Sequence, residues 1–239
     1  MKRSALVVRG GWDGHNPIEA TELFIPFLEE HEYAVRVEES PQVYADLTVM
    51  RSTDLIVQST TMSEITREAL EGLRAAIAAG TGLVGWHGGI ADSYRNSSDY
   101  LQLVGGQFAA HPAASPELAV DGEANTFLDY TVEFTDLGRS HPMTIDLDDF
   151  ELHTEQYWVL HDNLNNVLAT TSHPAPAWHP WHRPIVSPVV WTRQWGKGNI
   201  AVVTPGHSLD VLEHPTIRTI IERGMLWATR TASESSGSE

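Results

Sequence analysis

The sequence predicts an α/β protein in which a mostly parallel β-sheet is covered by helices on both faces. Two observations indicate this fold class. Across the first ninety residues, short apolar segments typical of buried strands alternate with segments of helical periodicity. The last of these strands leads into a Gly-Trp-His-Gly-Gly stretch at residues 85–89. Such a stretch is typical of a tight strand-to-helix turn at the carboxyl edge of a parallel sheet.

Four strands and two helices are predicted in this first part of the chain. The strands are Ala5–Val8, Tyr33–Val37, Asp54–Gln58 and Gly82–Trp86. The first helix covers Ile18–Glu30, with Asn16 as its cap and Pro17 at its first position. The second helix covers Ser63–Ala79 and ends before Gly80.

The remainder of the chain is less regular. Strands are predicted at Thr131–Phe134 and Asn166–Thr170, a β-hairpin at Val189–Arg193 with Ile200–Thr204, and a closing helix at Thr216–Thr229. Five prolines between Pro174 and Pro188 indicate a long ordered loop. Because no repeat or linker interrupts the pattern, we predict a single domain over residues 1–230. A Ser- and Glu-rich tail at 231–239 is predicted to be disordered.

The charge of the chain excludes several classes of partner. Its 239 residues carry 15 Lys and Arg against 32 Asp and Glu, a net charge of −17, which repels nucleic acids and anionic membranes. No apolar run approaches the ~20 residues of a membrane span, and the apolar N-terminal run is too short for a signal peptide. We therefore expect a cytoplasmic protein. Without cysteine, thiolate chemistry and disulfides are excluded.

His87 occupies the middle of the glycine-rich turn, where related turns carry a nucleophilic side chain. An imidazole there can act as a base, an acid, a weak nucleophile or a metal ligand. We expect His87 to be exposed into a pocket at the sheet edge. The alternative, a turn whose histidine only caps a helix, stays open.

Several short blocks occur in a fixed order over nearly the whole chain. They are Gly82–Gly89, Gly105–Phe108 with His111-Pro112, His141-Pro142, Glu155–Tyr157, Pro188–Arg193 with Gly196–Gly198, and Pro205–His207. In these blocks the chain resembles the ThuA-like (trehalose utilisation) family. The resemblance implies a class I glutamine amidotransferase-like fold, which is a flavodoxin-like three-layer α/β/α sandwich. It also implies a role in disaccharide and keto-sugar metabolism.

One position and one segment qualify this resemblance. The amidotransferase superfamily carries a catalytic cysteine at the turn, and because His87 stands there, hydrolysis of glutamine by a thiolate is excluded. The segment Ala175–Pro184 lies outside the family blocks, and we interpret it as a specificity loop of this chain.

Residues that follow the carboxyl ends of parallel strands are expected to meet in one ligand pocket. The predicted catalytic residues are His87, Glu155 and His207. The predicted substrate-binding residues are Trp12, His15, Asp92, Arg95, His111, Tyr157 and Trp158. Aromatic rings match the apolar faces of sugars, whereas Asp92 and Arg95 are expected to hold hydroxyl groups.

These residues favour acid–base or metal-assisted chemistry on a disaccharide or keto-sugar. A divalent metal bound through histidines is left open, as is assembly into a homo-oligomer. His179 and His182 are disfavoured as a metal pair because Pro180 separates them. A non-catalytic carbohydrate-binding protein with the same fold is the alternative.

Overall fold

The computed structural model describes residues 2–112, 114–119, 121–123 and 125–230, so the tail at 231–239 lies outside the described residues. Eleven strands are present in this part of the chain. They are β1 (Arg3–Gly11), β2 (Tyr33–Glu38), β3 (Leu55–Thr61), β4 (Gly82–Trp86), β5 (Gly106–Ala110), β6 (Phe127–Phe134), β7 (Phe150–Glu155), β8 (Trp158–His161), β9 (Asn166–His173), β10 (Ile185–Trp195) and β11 (Gly198–Val203).

Nine strands form one sheet in the order β2-β1-β3-β4-β11-β10-β9-β6-β7, and β5 pairs with β8 in a small antiparallel sheet. The strands from β2 to β11 in this order run parallel, as the first ninety residues predict. From β11 to β7 the pairing is antiparallel. The sheet therefore has a parallel half and an antiparallel half, and β11 joins them.

The described helices are α1 (Pro17–Glu22), α2 (Ile25–Glu30), α3 (Leu47–Ser52), α4 (Arg67–Ala78), α5 (Gly88–Ala91), α6 (Ser98–Val104), α7 (Leu209–Glu213) and α8 (Pro215–Ala228). They cover both faces of the sheet. Alternate residues of a strand point to opposite sides, so the strands contribute apolar side chains to a core on each face. Val7 packs in one core with Phe24 and Ile221, and Val8 packs in the other with Leu73. This arrangement is the predicted three-layer α/β/α sandwich.

Two predicted elements differ in the structure. The helix predicted at Ile18–Glu30 is divided into α1 and α2, since Pro26 has no N–H to donate to the carbonyl group of Glu22. The predicted loop that ends at Pro188 is shorter, because β10 already begins at Ile185. Pro188 is accommodated there beside an irregularity in the pairing of β10 with β9.

Across the described residues, no helix combines the length and the apolar character that crossing a membrane requires.

Candidate functional site

Three histidines lie at the carboxyl edge of the parallel half. The neighbouring strand ends are in register, with Gly11 beside Thr61 and Val203 beside Trp86. The segments that follow these strands therefore start close together. They carry His15 after β1, His87 after β4 and His207 after β11. Glu155 comes from the end of β7, in the antiparallel half.

The turn at His87 has the predicted strand-to-helix form. His87 adopts φ 48° and ψ −141°, a conformation that is unfavourable for a residue with a Cβ, and α5 begins directly after it. Its backbone N–H donates to the carbonyl oxygen of Val203 at 2.7 Å. A Cβ at Gly88 would lie 2.8 Å from the ring of His15, and one at Gly89 would lie 2.7 Å from Ser59 Cα. Both glycines are needed for this close approach.

The prediction that His87 is exposed into a pocket is wrong, since the residue is 1% exposed. Its ring stacks on Tyr157 at 4.4 Å and meets the His15 ring edge-on at 4.5 Å. Nδ1 lies 2.8 Å from the carbonyl oxygen of Thr204, which can only accept, so Nδ1 carries the proton and Nε2 the lone pair. The Tyr157 hydroxyl donates to Nε2 at 2.9 Å. Burial lowers the pKa of His87, and the ring is neutral at neutral pH.

Glu155 is the common neighbour of the histidines. Its Oε2 lies 3.2 Å from Nε2 of His87 and 3.0 Å from Nδ1 of His207, and its Oε1 lies 3.6 Å from Nε2 of His111. Burial opposes ionisation of this carboxyl group, but the proximity of His207 outweighs burial and holds its pKa well below the usual range. The predicted approach of His87, Glu155 and His207 is therefore present, with an ionised carboxylate between two imidazoles.

His15 completes the group. Its Nδ1 lies 2.9 Å from Oγ1 of Thr61, and its ring centre lies 5.2 Å from that of His207. Burial, followed by the proximity of His87 and His207, lowers the pKa of His15 to about 3. One ligand atom from each of His15, His87, Glu155 and His207 lies within 4.8 Å of the others. Imidazole and carboxylate groups at this spacing could hold a metal ion.

Aromatic rings border this group on its solvent side. Trp12 is 48% exposed and meets His15 edge-on at 4.7 Å, which places it at the rim of the group. Phe127 meets the His207 ring edge-on at 5.1 Å. Trp158 instead packs on Trp181 of the 174–184 loop, at 5.4 Å.

Asp92 and Arg95 bind each other. Both carboxylate oxygens of buried Asp92 accept hydrogen bonds from the Arg95 guanidinium group at 2.6 Å. Arg95 is half exposed and lies 5.9 Å from the ring of Phe108. Because Arg95 occupies both oxygens of Asp92, Asp92 has less capacity to accept from a substrate hydroxyl. Their role as hydroxyl ligands stays a prediction.

Two histidines that precede prolines, His141 and His214, lie in turns away from this group. His141 Nδ1 accepts from the N–H of Met143, and His214 occupies the N-cap position of α8 before Pro215 without a side-chain capping bond. His179 contacts His173, Nε2 to Nε2 at 3.2 Å, instead of His182.

Sequence reasoning missed the residues that orient the histidines. Thr204 ends a predicted strand and Thr61 lies three residues after another, but the sequence does not identify them as partners of His87 and His15. The available signal was their position, since a residue at the carboxyl end of a parallel strand borders the ligand edge. Gln156 had no comparable signal. Its carbonyl oxygen lies 3.3 Å from Nδ1 of His111, and its side chain holds His173 at 3.0 Å.

The comparisons with known proteins agree with this architecture. The model of the ThuA family, described as trehalose utilisation, matches residues 4–228. The fold is similar to that of a protein described as ThuA-like from Bacteroides uniformis, with a TM-score of 0.68, 15% identity, and coverage of 95% of this chain and 91% of that one. A second such protein, from Parabacteroides merdae, gives a TM-score of 0.69 at 14% identity, with coverage of 95% and 90%.

A cytoplasmic protein of Salmonella typhimurium LT2 gives a TM-score of 0.62 at 12% identity, covering 95% of this chain and all of that one. The comparison with curated proteins finds no match. The three structural likenesses, at such low identity, show the fold alone, whereas the family model covers most of the chain. On that match, this chain belongs to the ThuA (trehalose utilisation) family.

Proposed function

We propose that this protein is an enzyme of carbohydrate metabolism that acts on a disaccharide or a keto-sugar through acid–base chemistry. The observation that carries the proposal is the position of Glu155 Oε2, within 3.2 Å of imidazole nitrogens of both His87 and His207. A carboxylate between imidazoles can orient them and stabilise the imidazolium ion that forms when one of them takes a proton. The trehalose utilisation family supports a sugar as the substrate.

The exposed fractions of the two histidine side chains indicate which of them can contact a substrate. The His207 side chain is 19% exposed and can reach a substrate, whereas His87 lies behind it and is buried. We assign proton exchange with the substrate to His207 and the stabilisation of its charge to Glu155. His87, held by Thr204 and Tyr157, lies against the Glu155 carboxylate on its buried side, with Nε2 at 3.2 Å from Oε2.

The chemistry follows from these roles. In a disaccharide, the His207 imidazole would take a proton from a hydroxyl group. In a keto-sugar, it would take one from the carbon next to the carbonyl group. Tyr157 stays protonated, because burial and the nearby Glu155 charge raise its pKa well above the usual value. The half-exposed ring of Trp12 at the rim offers an apolar face to a sugar ring.

We also propose a cytoplasmic location and no nucleic-acid partner. The net charge of −17 supports the second point. For the first, the Salmonella relative is described as a cytoplasmic protein.

The test is turnover on a panel of disaccharides and keto-sugars, measured together with sugar binding. Glu155→Gln and His207→Gln should each lower kcat by about 10²–10⁴-fold, the usual contribution of a positioned acid–base group. His161→Gln is the matched control, because His161 is an exposed histidine bonded to the carbonyl group of Asp162. It should keep wild-type turnover.

Two outcomes would contradict the proposal. Full turnover in both site variants would show that the reaction takes place elsewhere. Sugar binding without turnover in the wild type would favour the non-catalytic carbohydrate-binding protein.

A further inference from the structure

We propose that His15, His87, His207 and Glu155 bind one divalent ion of a first-row transition metal. The inference deepens the proposed function and rests on it for the sugar substrate. With the ion bound, His207 is a ligand through Nδ1, and activation of the substrate would pass from its imidazole to the ion. Binding of the ion itself can be tested without any substrate.

The spacing of the ligand atoms is the first argument. Nitrogen and oxygen ligands lie about 2.0–2.2 Å from such an ion, so two ligands on opposite sides are separated by no more than ~4.4 Å. Two of the pairs, His207–Glu155 and His87–Glu155, are 3.0 and 3.2 Å apart. All four ligand atoms lie within 4.8 Å of one another. Shifts of a few tenths of an ångström would bring the widest pair into range.

A buried nitrogen of His207 also points to a ligand, because it has no hydrogen-bond partner. Nδ1 of His207 is buried and lies 3.0 Å from Glu155 Oε2, yet its orientation allows no hydrogen bond to that oxygen. Nε2 of His87 also directs a lone pair towards the region of Glu155. An ionised carboxylate and a nitrogen lone pair repel each other at 3.2 Å. A cation between them turns this repulsion into coordination.

His15 and His87 are held from outside the group in the way that metal-binding histidines usually are. A histidine that binds a metal ion usually donates its second ring nitrogen to a carbonyl or a similar acceptor, which fixes the tautomer and the ring orientation. His87 donates Nδ1–H to the carbonyl group of Thr204. His15 Nδ1 lies at 2.9 Å from the Thr61 hydroxyl oxygen, which can accept in the same way. These contacts make Nε2 the ligand atom in both rings, although in His87 it also accepts from Tyr157.

The Tyr157 hydroxyl group competes with the ion for one of the four ligand atoms. Its hydroxyl group donates to Nε2 of His87, the same lone pair that the ion requires. Binding of the ion therefore displaces this hydrogen bond, and the Tyr157 hydroxyl group becomes available to Glu155 or to a substrate. Tyr157→Phe removes the competitor and should bind the ion at least as tightly as the wild type.

The donor set determines the class of ion. Three imidazoles suit zinc, iron, nickel and copper, and one carboxylate extends the range to manganese, whereas magnesium and calcium prefer oxygen ligands throughout. In the proposed reaction the ion would act as a Lewis acid that polarises a carbonyl or hydroxyl oxygen of the sugar. Trp12, beside His15, would then lie next to the bound sugar.

The experiment uses the full chain, freed of metal by chelation and titrated with Co²⁺ and then with Zn²⁺. Isothermal calorimetry should give one ion per chain, and the visible absorption of Co²⁺ should report nitrogen and oxygen ligands. His15→Gln, Glu155→Gln and His207→Gln should each weaken binding by at least about 100-fold, because the loss of an outer-shell partner alone costs about 10–100-fold. His161→Gln should bind as the wild type does.

Thr61→Val and Thr61→Ser keep the proposal testable if a ligand variant does not fold. Valine keeps the shape of the side chain and removes the acceptor of His15, so binding should weaken by about 10–100-fold, and serine should restore it. No binding to the wild type, or equal binding by all ligand variants, would overturn the metal site. Turnover by the metal-free enzyme would leave the proposed function in place, and a bound ion without any turnover would leave the metal site in place.

Discussion

The turn residue His87 combines an unfavourable backbone conformation with a buried imidazole that is bonded at both nitrogens. The strain at φ 48° persists because the surrounding contacts fix it, namely the bonds to Thr204 and Tyr157 and the close approach of Gly88 to His15. The loss of an exposed turn residue would change stability by only about ±0.5 kcal/mol. Burial changes that expectation.

We predict that His87→Ala destabilises the protein by about 1–3 kcal/mol, because the buried Tyr157 hydroxyl group loses its acceptor. His87→Gly removes the same ring but relieves the backbone strain, which is worth about 1–3 kcal/mol, less about 0.5–1 kcal/mol for the flexibility of glycine in the unfolded chain. Glycine should therefore be the milder substitution. Urea unfolding of both variants measures the difference, and an alanine variant as stable as the glycine variant would show that the turn is unstrained.

The 174–184 loop is the element whose packing the sequence described least. The loop is attached at its start, where His173 Nδ1 contacts Gln156 at 3.0 Å and His173 Nε2 contacts His179 at 3.2 Å. His179 in turn stacks on Trp181 at 3.9 Å. Since Gln156 directly follows Glu155, the loop is connected to the site, which supports the interpretation as a specificity loop.

We predict that this attachment makes stability depend on pH. Burial and the neighbouring His179 lower the pKa of His173 to about 4 in the folded protein, against about 6.5 in an unfolded chain. Between these values the unfolded chain binds the extra proton, so the free energy of unfolding is largest above about 6.5 and decreases as the pH falls towards 4. His173→Gln should show a shallower decrease in urea unfolding between pH of about 7.5 and about 4.5.

The control for this pH dependence is His161→Gln, which replaces an exposed histidine and should keep the wild-type slope. If His173→Gln has the same slope as the wild type, the loop attachment does not account for the pH dependence.

At the scale of the whole molecule, the site exists because the two halves of the sheet meet at one edge. The parallel half supplies the three histidines, and the segments around β7 supply Glu155 and Tyr157. The same molecule carries a net charge of −17, and repulsion among the excess carboxylates opposes the compact state.

We predict that added salt stabilises the protein. Raising sodium chloride from about 0.01 M to about 0.15 M shortens the screening length from about 30 Å to about 8 Å, which weakens this long-range repulsion. The melting temperature should therefore rise, and potassium chloride at equal ionic strength should act alike. A melting temperature that stays constant or falls would mean that the ion pairs between surface residues outweigh the repulsion.

The sequence by itself determined the α/β class, the parallel strands, the strand-to-helix turn and the edge at which the histidines gather. These features depend on local signals, since strand periodicity and glycine positions are read over a few residues. It also indicated Glu155 through the family blocks. Only the tertiary structure decided that His87 is buried, that Tyr157 donates a hydrogen bond to it and that Arg95 binds the carboxylate of Asp92. The burial of His87 and its contact with Tyr157 depend on how the antiparallel half of the sheet packs against the edge of the parallel half. The contact of Arg95 with Asp92 depends on side-chain geometry. A short sequence pattern predicts neither the packing nor the geometry.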